Sequence, residues 1–83
     1  MELYIVTEKT EARDWGEIRF EVHGVWPTFE KALEFLKKKK ERWDKMEESG
    51  EININNRRAS WSYSDWDGHY YYNIEPIKYH DSV

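Results

Sequence analysis

Apolar and polar positions alternate in two stretches of the chain, and a helical spacing of apolar positions lies between them. The run from Leu3 to Thr7 is apolar and ends in β-branched residues, which predicts a central strand buried on both faces. From Glu17 to His23 the apolar residues Ile18, Phe20 and Val22 alternate with polar ones, which predicts a strand with one solvated face. We expect the two strands to pair antiparallel.

One amphipathic helix is predicted after the turn that contains Pro27. Thr28 is a suitable N-cap, because its hydroxyl can accept a hydrogen bond from a free backbone N–H of the first turn. The helix is expected to run from Phe29 to about Glu48, before a stop at Ser49-Gly50. Its apolar positions share one side of the helix: Phe29, Ala32, Leu33, Phe35, Leu36, Trp43 and Met46.

The last third of the chain predicts a hairpin. A four-residue loop from Asp65 to Gly68 places the flanking aromatic residues on one face and the serines on the other. Before it, Glu51 to Ile54 is a candidate short strand and Asn55-Asn56 a tight turn. The loop sets three opposed pairs on the aromatic face: Tyr63 with Tyr70, Trp61 with Tyr72, and Ala59 with Ile74.

These elements predict one α+β domain over residues 1–83, in the order β-β-α-β-β. One amphipathic helix packs on a mostly antiparallel sheet of four strands. Pro76 lacks a backbone N–H, which confines the last strand to a sheet edge or to a strand end at that point.

Composition narrows the class of protein. The chain has 83 residues, 17 acidic and 13 basic, a formal net charge of −4 and no cysteine. These numbers exclude a disulfide-stapled mini-protein, a cysteine-ligated metal site and cysteine catalysis. There is no apolar run of the ~20 residues needed to span a bilayer, and the first residues lack a signal-peptide pattern. We therefore expect a soluble protein of the host-cell cytoplasm that does not contact a membrane.

The titratable residues predict neither an enzyme nor a metal or cofactor site. His23, His69 and His80 are expected to be exposed, and none has the spacing of a helical metal pair. Asp65-Trp66-Asp67-Gly68 matches the opening of a calcium loop, but the rest of such a loop is missing, so a hairpin turn is the preferred interpretation.

Acidic and aromatic residues outside the predicted core suggest protein binding. Trp66 stands at a hairpin tip, where no core pattern uses it, and tryptophan is a common anchor of interfaces. Acidic residues cluster in the first hairpin and would steer a basic partner. The predicted contact residues are Asp65, Trp66, Asp67, Glu11, Asp14, Trp15 and Tyr71.

Two alternatives remain open. Residues 36–45 hold six basic residues against two acidic ones, which favours nucleic-acid binding, although the chain as a whole is acidic. The residues for that role are Lys37, Lys38, Lys40, Arg42, Arg57 and Arg58. The other alternative is a homo-oligomeric structural protein built by edge pairing of the last strand.

Leu3-Tyr4-Ile5-Val6-Thr7-Glu8 and the segment from Val25 to Leu36 resemble small uncharacterised proteins of bacteriophages and prophages. Those proteins open with a Y-x-V-x-E strand and continue with V-F-x-T-x-E-x-A-x-x-F into one helix. The resemblance implies a β-β-α-β-β fold and no catalytic residue. Some proteins of this kind are inhibitors of host defence, including anti-CRISPR proteins. We therefore predict a non-enzymatic module, monomeric or homodimeric, that inhibits a host protein by stoichiometric occlusion.

Overall fold

The computed structural model describes residues 2–12, 16–45 and 49–78 of the chain. They form one helix and five strands, one strand more than the sequence predicts. The strand outside the predicted order, β3, has three residues and overlaps the candidate short strand from Glu51 to Ile54. The elements are β1 (Glu2–Ala12), β2 (Ile18–Trp26), α1 (Phe29–Asp44), β3 (Asn53–Asn55), β4 (Arg58–Ser64) and β5 (Gly68–Lys78).

The strands form a single antiparallel sheet in the order β2-β1-β5-β4-β3. The predicted antiparallel pairing of the first two strands is confirmed. The last strand is central, so of the two positions expected for Pro76 the structure shows the strand end and not the sheet edge. Oligomerisation by edge pairing of this strand is therefore not available where β4 and β1 cover it. Pro76 has no backbone N–H to donate, but it is tolerated because β4 pairs with β5 only as far as Ile74. At Pro76 the strand β5 is therefore paired on one side alone, with Tyr4 of β1 opposite the proline.

Helix α1 covers one face of the sheet, and the core lies between them. Thr28 caps the helix as predicted, since its hydroxyl oxygen accepts a hydrogen bond from the Lys31 N–H at 3.2 Å. The helix ends at Asp44, earlier than expected, while the predicted end at Glu48 and the predicted core residue Met46 fall outside the described residues. The buried core consists of Tyr4, Val6, Ala32, Leu36, Ala59, Trp61, Tyr72 and Ile74.

The β4–β5 hairpin has the predicted register, with all three expected pairs directly opposed. Its aromatic rings stack on one another and on the helix. Tyr63 lies 4.8 Å from Tyr70 and 4.0 Å from Trp43 of the helix, measured between ring centroids. Trp61 stacks on Tyr72 at 5.1 Å. Aromatic contacts of this kind add to the area that the rings bury.

A bulge in β2 decides which side chains of that strand face the helix. Val6 opposes Gly24 and Thr7 opposes Val22, so His23 is the extra residue. Gly24 has a φ of +158°, and a Cβ there would lie 2.8 Å from the Trp26 ring, which folds across the glycine. The bulge therefore turns Trp26 toward the helix, whereas His23 lies on the helix side together with Glu21, two residues before it.

The apolar side of β2 faces away from the helix. The predicted alternation of Ile18, Phe20 and Val22 is present, but the expectation that their side is the covered one is wrong. Phe20 is 77% exposed and Val22 60%. In the described residues, helix α1 is too short and too polar to cross a membrane.

Candidate functional site

The sheet has an uncovered face, here called the open face, on the side away from α1. Its apolar side chains are Ile18, Phe20, Val22 and Val25 of β2, with Tyr71 and Ile77 of β5. All of them are at least one-third exposed. An apolar group of this extent, on a sheet face that no described element covers, is typical of an interaction surface.

Strand register connects the apolar part of the open face with residues predicted for binding. Lys9 of β1 pairs with Phe20 on one side and with Tyr71 on the other, so the three side chains form one row across the sheet. The Lys9 ammonium lies 5.8 Å from the centroid of the Tyr71 ring and 3.0 Å from the Glu11 carboxylate. Tyr71 and Glu11 are thereby brought next to the apolar strip of β2.

The end of β1, the residues just before β2 and the tip of the β4–β5 hairpin meet at one end of the sheet. We call the group of carboxylates there the acidic end: Glu11, Glu17, Asp65 and Asp67. Ala12 opposes Gly68 in the β1–β5 register, and the Ala12 N–H donates to the Glu17 carbonyl at 2.9 Å. Gly68 is buried against the backbone of Glu11, where any larger residue would collide. The structure therefore brings the predicted Glu11 beside the predicted hairpin tip.

Two residues of the hairpin tip differ in role: Trp66 is exposed, whereas Asp65 stabilises the turn. Trp66 is 90% exposed, as predicted. Asp65, in contrast, holds the turn: its carboxylate accepts hydrogen bonds from the backbone N–H groups of Asp67 at 2.8 Å and Gly68 at 3.2 Å. Such an Asx turn gives Asp65 a local structural role. The predicted contact residues Asp14 and Trp15 lie outside the described residues.

His23 is not exposed, so the expectation of a solvated histidine is wrong there. Its side chain is 13% exposed, and its Nε2 donates to the Glu8 carboxylate at 2.7 Å. The ring packs between Phe35, at 5.8 Å, and Tyr72, at 5.5 Å. His69 is exposed on the open face, as expected, and His80 lies outside the described residues.

Glu8 is ionised more readily than an ordinary glutamate. Burial raises the pKa of its carboxyl, but hydrogen bonds from His23, Thr10 and Tyr72 outweigh that effect and hold the pKa below the ordinary value of 4.5. Thr10 donates at 2.8 Å to the second oxygen of the same carboxylate. Burial also raises the pKa of Tyr72, so its hydroxyl stays neutral beside Glu8.

Among the described residues, one group of side chains around His23 could supply ligands to a metal ion. Glu8, Glu21 and His23 each offer one ligand atom, and these atoms lie within 4.8 Å of one another. The histidine–carboxylate hydrogen bond already satisfies two of the three groups. Sequence reasoning missed the group because the polar side of β2, which holds Glu21 and His23, was expected to face solvent, whereas it faces the helix.

The predicted basic residues do not form one surface. Most of them pair with acids: Lys38 with Glu34, Lys40 with Asp44, Arg57 with Glu2 and Arg58 with Glu75. Arg57 and Arg58 belong to the β3–β4 hairpin, and Arg58 opposes Asn55 at its end. Lys37 and Arg42 are exposed on the helix, and Arg42 lines a groove of about 280 Å³ with Lys39 and Trp43.

Comparison with known proteins gave no match to a family model, to a curated protein or to a solved structure. The resemblance to phage and prophage proteins therefore rests on the quoted residues of the first strand and the helix and stays a prediction.

Proposed function

We propose that this protein is a non-enzymatic protein-binding module whose contact surface is the open face together with the acidic end. The observation that carries the proposal is the exposure of Phe20, 77%, and of Trp66, 90%, since most other aromatic rings among the described residues are at least partly buried. Transfer of apolar area out of water stabilises a complex by about 25 cal/mol per Å². These two rings are the natural anchors of such a complex.

The charges beside the apolar strip point to the chemistry of the partner. Glu11, Glu17, Asp65 and Asp67 lie at one end of the open face, and Lys9 is neutralised by Glu11. A partner surface with an apolar centre and a basic margin would match both features. Electrostatic steering would then raise the association rate, and added salt would lower it.

Occlusion is the action that suits this surface. A flat face of a sheet covers area on a partner and does not enclose a small molecule. We therefore propose that the protein acts by stoichiometric blocking of a host protein, the inhibitory role that the resemblance to phage proteins implies.

Affinity capture from a lysate, with a matched control, tests the proposal. The variant Phe20→Ser with Val22→Ser removes the centre of the open face. The control Ile54→Ser changes another exposed apolar residue, 52% exposed, on the edge strand β3. We expect the wild type and the Ile54→Ser control to capture the same protein, and the double variant to lose it. Equal capture by the double variant would contradict the proposed surface.

A second variant pair tests the acidic end. Trp66→Ala with Asp67→Asn changes the tip and leaves the Asx turn of Asp65 intact. We expect weaker capture and a smaller dependence on salt. Unchanged capture at every salt concentration would remove the acidic end from the contact surface.

Nucleic-acid binding is the second candidate, and the groove beside Arg42 is what favours it. Two cations and several aromatic rings line that groove, a combination that suits stacked bases and phosphates. Titration of a short single-stranded oligonucleotide at increasing salt tests it, with Arg42→Gln as the variant. Absence of binding at about 50 mM salt would exclude this function.

A further inference from the structure

The outer edge of β2 is unpaired within the described part of the chain. β2 is the first strand of the sheet order, and β1 occupies its inner edge. From Ile18 to Val22 every residue is exposed. An exposed edge usually carries proline, an inward-pointing charge or an early bulge that prevents pairing with another strand. This edge has no proline and no bulge before His23, and its two charges on the helix side, Arg19 and Glu21, are of opposite sign, so they can neutralise each other between two antiparallel copies.

We propose that two copies of this chain associate by antiparallel pairing of their β2 edges, with Phe20 opposite Phe20 of the second copy on a two-fold axis. The occupant of the edge is therefore a second copy of the chain. This inference does not depend on the proposed partner, since it uses the edge of the sheet and leaves its open face accessible.

The sequence of β2 is self-complementary in this register. Arg19 lies opposite Glu21 of the second copy, and the symmetry repeats that contact with the roles exchanged. On the other face Ile18 lies opposite Val22 of the second copy. Arg19 and Glu21 can be reached from the edge, because their side chains are 74% and 68% exposed. Within the chain Arg19 pairs with Glu17 at 3.2 Å, and in the dimer it would exchange this exposed contact for Glu21 of the second copy. Cross-strand pairs of opposite charge, and of apolar residues, stabilise antiparallel strands.

Neighbouring registers are disfavoured by charge. A two-fold pairing shifted one way places Arg19 opposite Arg19 of the second copy. Shifted the other way, it places Glu21 opposite Glu21 of the second copy. Larger shifts bring the pairing into the turn before β2 or across the bulge at Gly24. The register centred on Phe20 therefore matches the charges of Arg19 and Glu21, and the bulge limits the length of the paired segment.

Charge exchange tests the proposal. Arg19→Glu and Glu21→Arg each create two like-charge contacts across the axis, so we expect each variant to raise the dimer dissociation constant by roughly tenfold or more. The double variant restores opposite charges and is expected to return to within about threefold of the wild type. The control Lys31→Glu makes the same change of charge at an exposed position of the helix that belongs to no proposed site, and it should dimerise like the wild type.

Sedimentation velocity over a concentration series measures these constants. A mixture of the Arg19→Glu and Glu21→Arg chains is the most decisive sample in this experiment. Each variant alone repels itself, whereas the mixed pair has opposite charges at both contacts and should form a heterodimer. Circular dichroism confirms that each variant is folded. A wild type that stays monomeric at every concentration would overturn the proposal, and so would a dimer that no charge exchange weakens.

Discussion

Replacing Phe20 by alanine should lower the free energy of unfolding only slightly, whereas replacing the core residue Ile74 by alanine should lower it strongly. Phe20 is 77% exposed and Ile74, on the opposite face of the sheet, is 0% exposed. Full burial of a large apolar side chain is worth ~1.5–3 kcal/mol, so the buried quarter of Phe20 contributes roughly 0.4–0.8 kcal/mol. Ile74→Ala removes a fully buried side chain and leaves a cavity, which costs about 2–5 kcal/mol.

Urea denaturation followed by far-UV circular dichroism gives both free energies of unfolding. The measurement is made at a protein concentration low enough to keep the chain monomeric, because dimerisation would add to the apparent stability. Should Ile74→Ala be too unstable to study, Ile74→Val replaces it, with an expected loss of about 0.5–1.5 kcal/mol. A loss from Phe20→Ala as large as that from Ile74→Ala would refute the assignment of the two faces.

Three further changes probe the described contacts. The pKa of Glu8 is lower in the folded protein than its ordinary value of 4.5. The ionised carboxylate therefore stabilises the fold above pH 4.5, and this contribution is lost as the pH falls through the lower pKa of the folded state. Glu8→Gln should flatten the decline in melting temperature below about pH 4.5. Gly68→Ala places a methyl group against the backbone of Glu11 and should cost about 1–3 kcal/mol in urea denaturation, and an unchanged midpoint would contradict the close approach of the strands. Asp65→Ala should lose about 0.5–2 kcal/mol while Asp65→Asn retains most of the Asx turn, so equal melting temperatures for the two variants would argue against that role.

The C-terminal hairpin could be predicted in detail because one loop explains both of its strands. Asp65 and Gly68 favour the turn, and the residues on each side alternate between rings and small polar groups. The four-residue loop selects the register in which Trp61 directly opposes Tyr72, and that register is present. The N-cap at Thr28 was equally accessible, since capping depends on the local sequence.

The covered face of β2 could not be predicted in the same way. Alternation separates Phe20 and Val22 from Glu21, but it does not tell which of the two sides a helix will cover. The aromatic residues of β4 and β5 already fill the space under α1, so the apolar side of β2 remains in water. His23 shares the side of Glu21 and therefore faces the helix, and the bulge changes the side only of Val25 and Trp26 after it.

Part of the candidate site could be predicted from the sequence and part could not, for a related reason. The exposure of Trp66 follows from its place at a turn, which is a local property. The proximity of Glu11 to that turn depends on the pairing of β1 with β5, strands that are distant in the sequence. Contacts between such strands are set by the order of the whole sheet. The clustering of Glu8 with His23 depends in the same way on the β1–β2 register.

The one-sided core has a consequence for how this domain can change. Ile74 and the rest of the buried core point toward the helix, whereas the residues proposed for binding point the other way or stand at the tip. Substitutions at Phe20 or Trp66 would therefore change the proposed contact surface and leave the buried core intact. The side chains that stabilise the fold and those proposed for binding are separate sets, so the second set can vary without repacking the first.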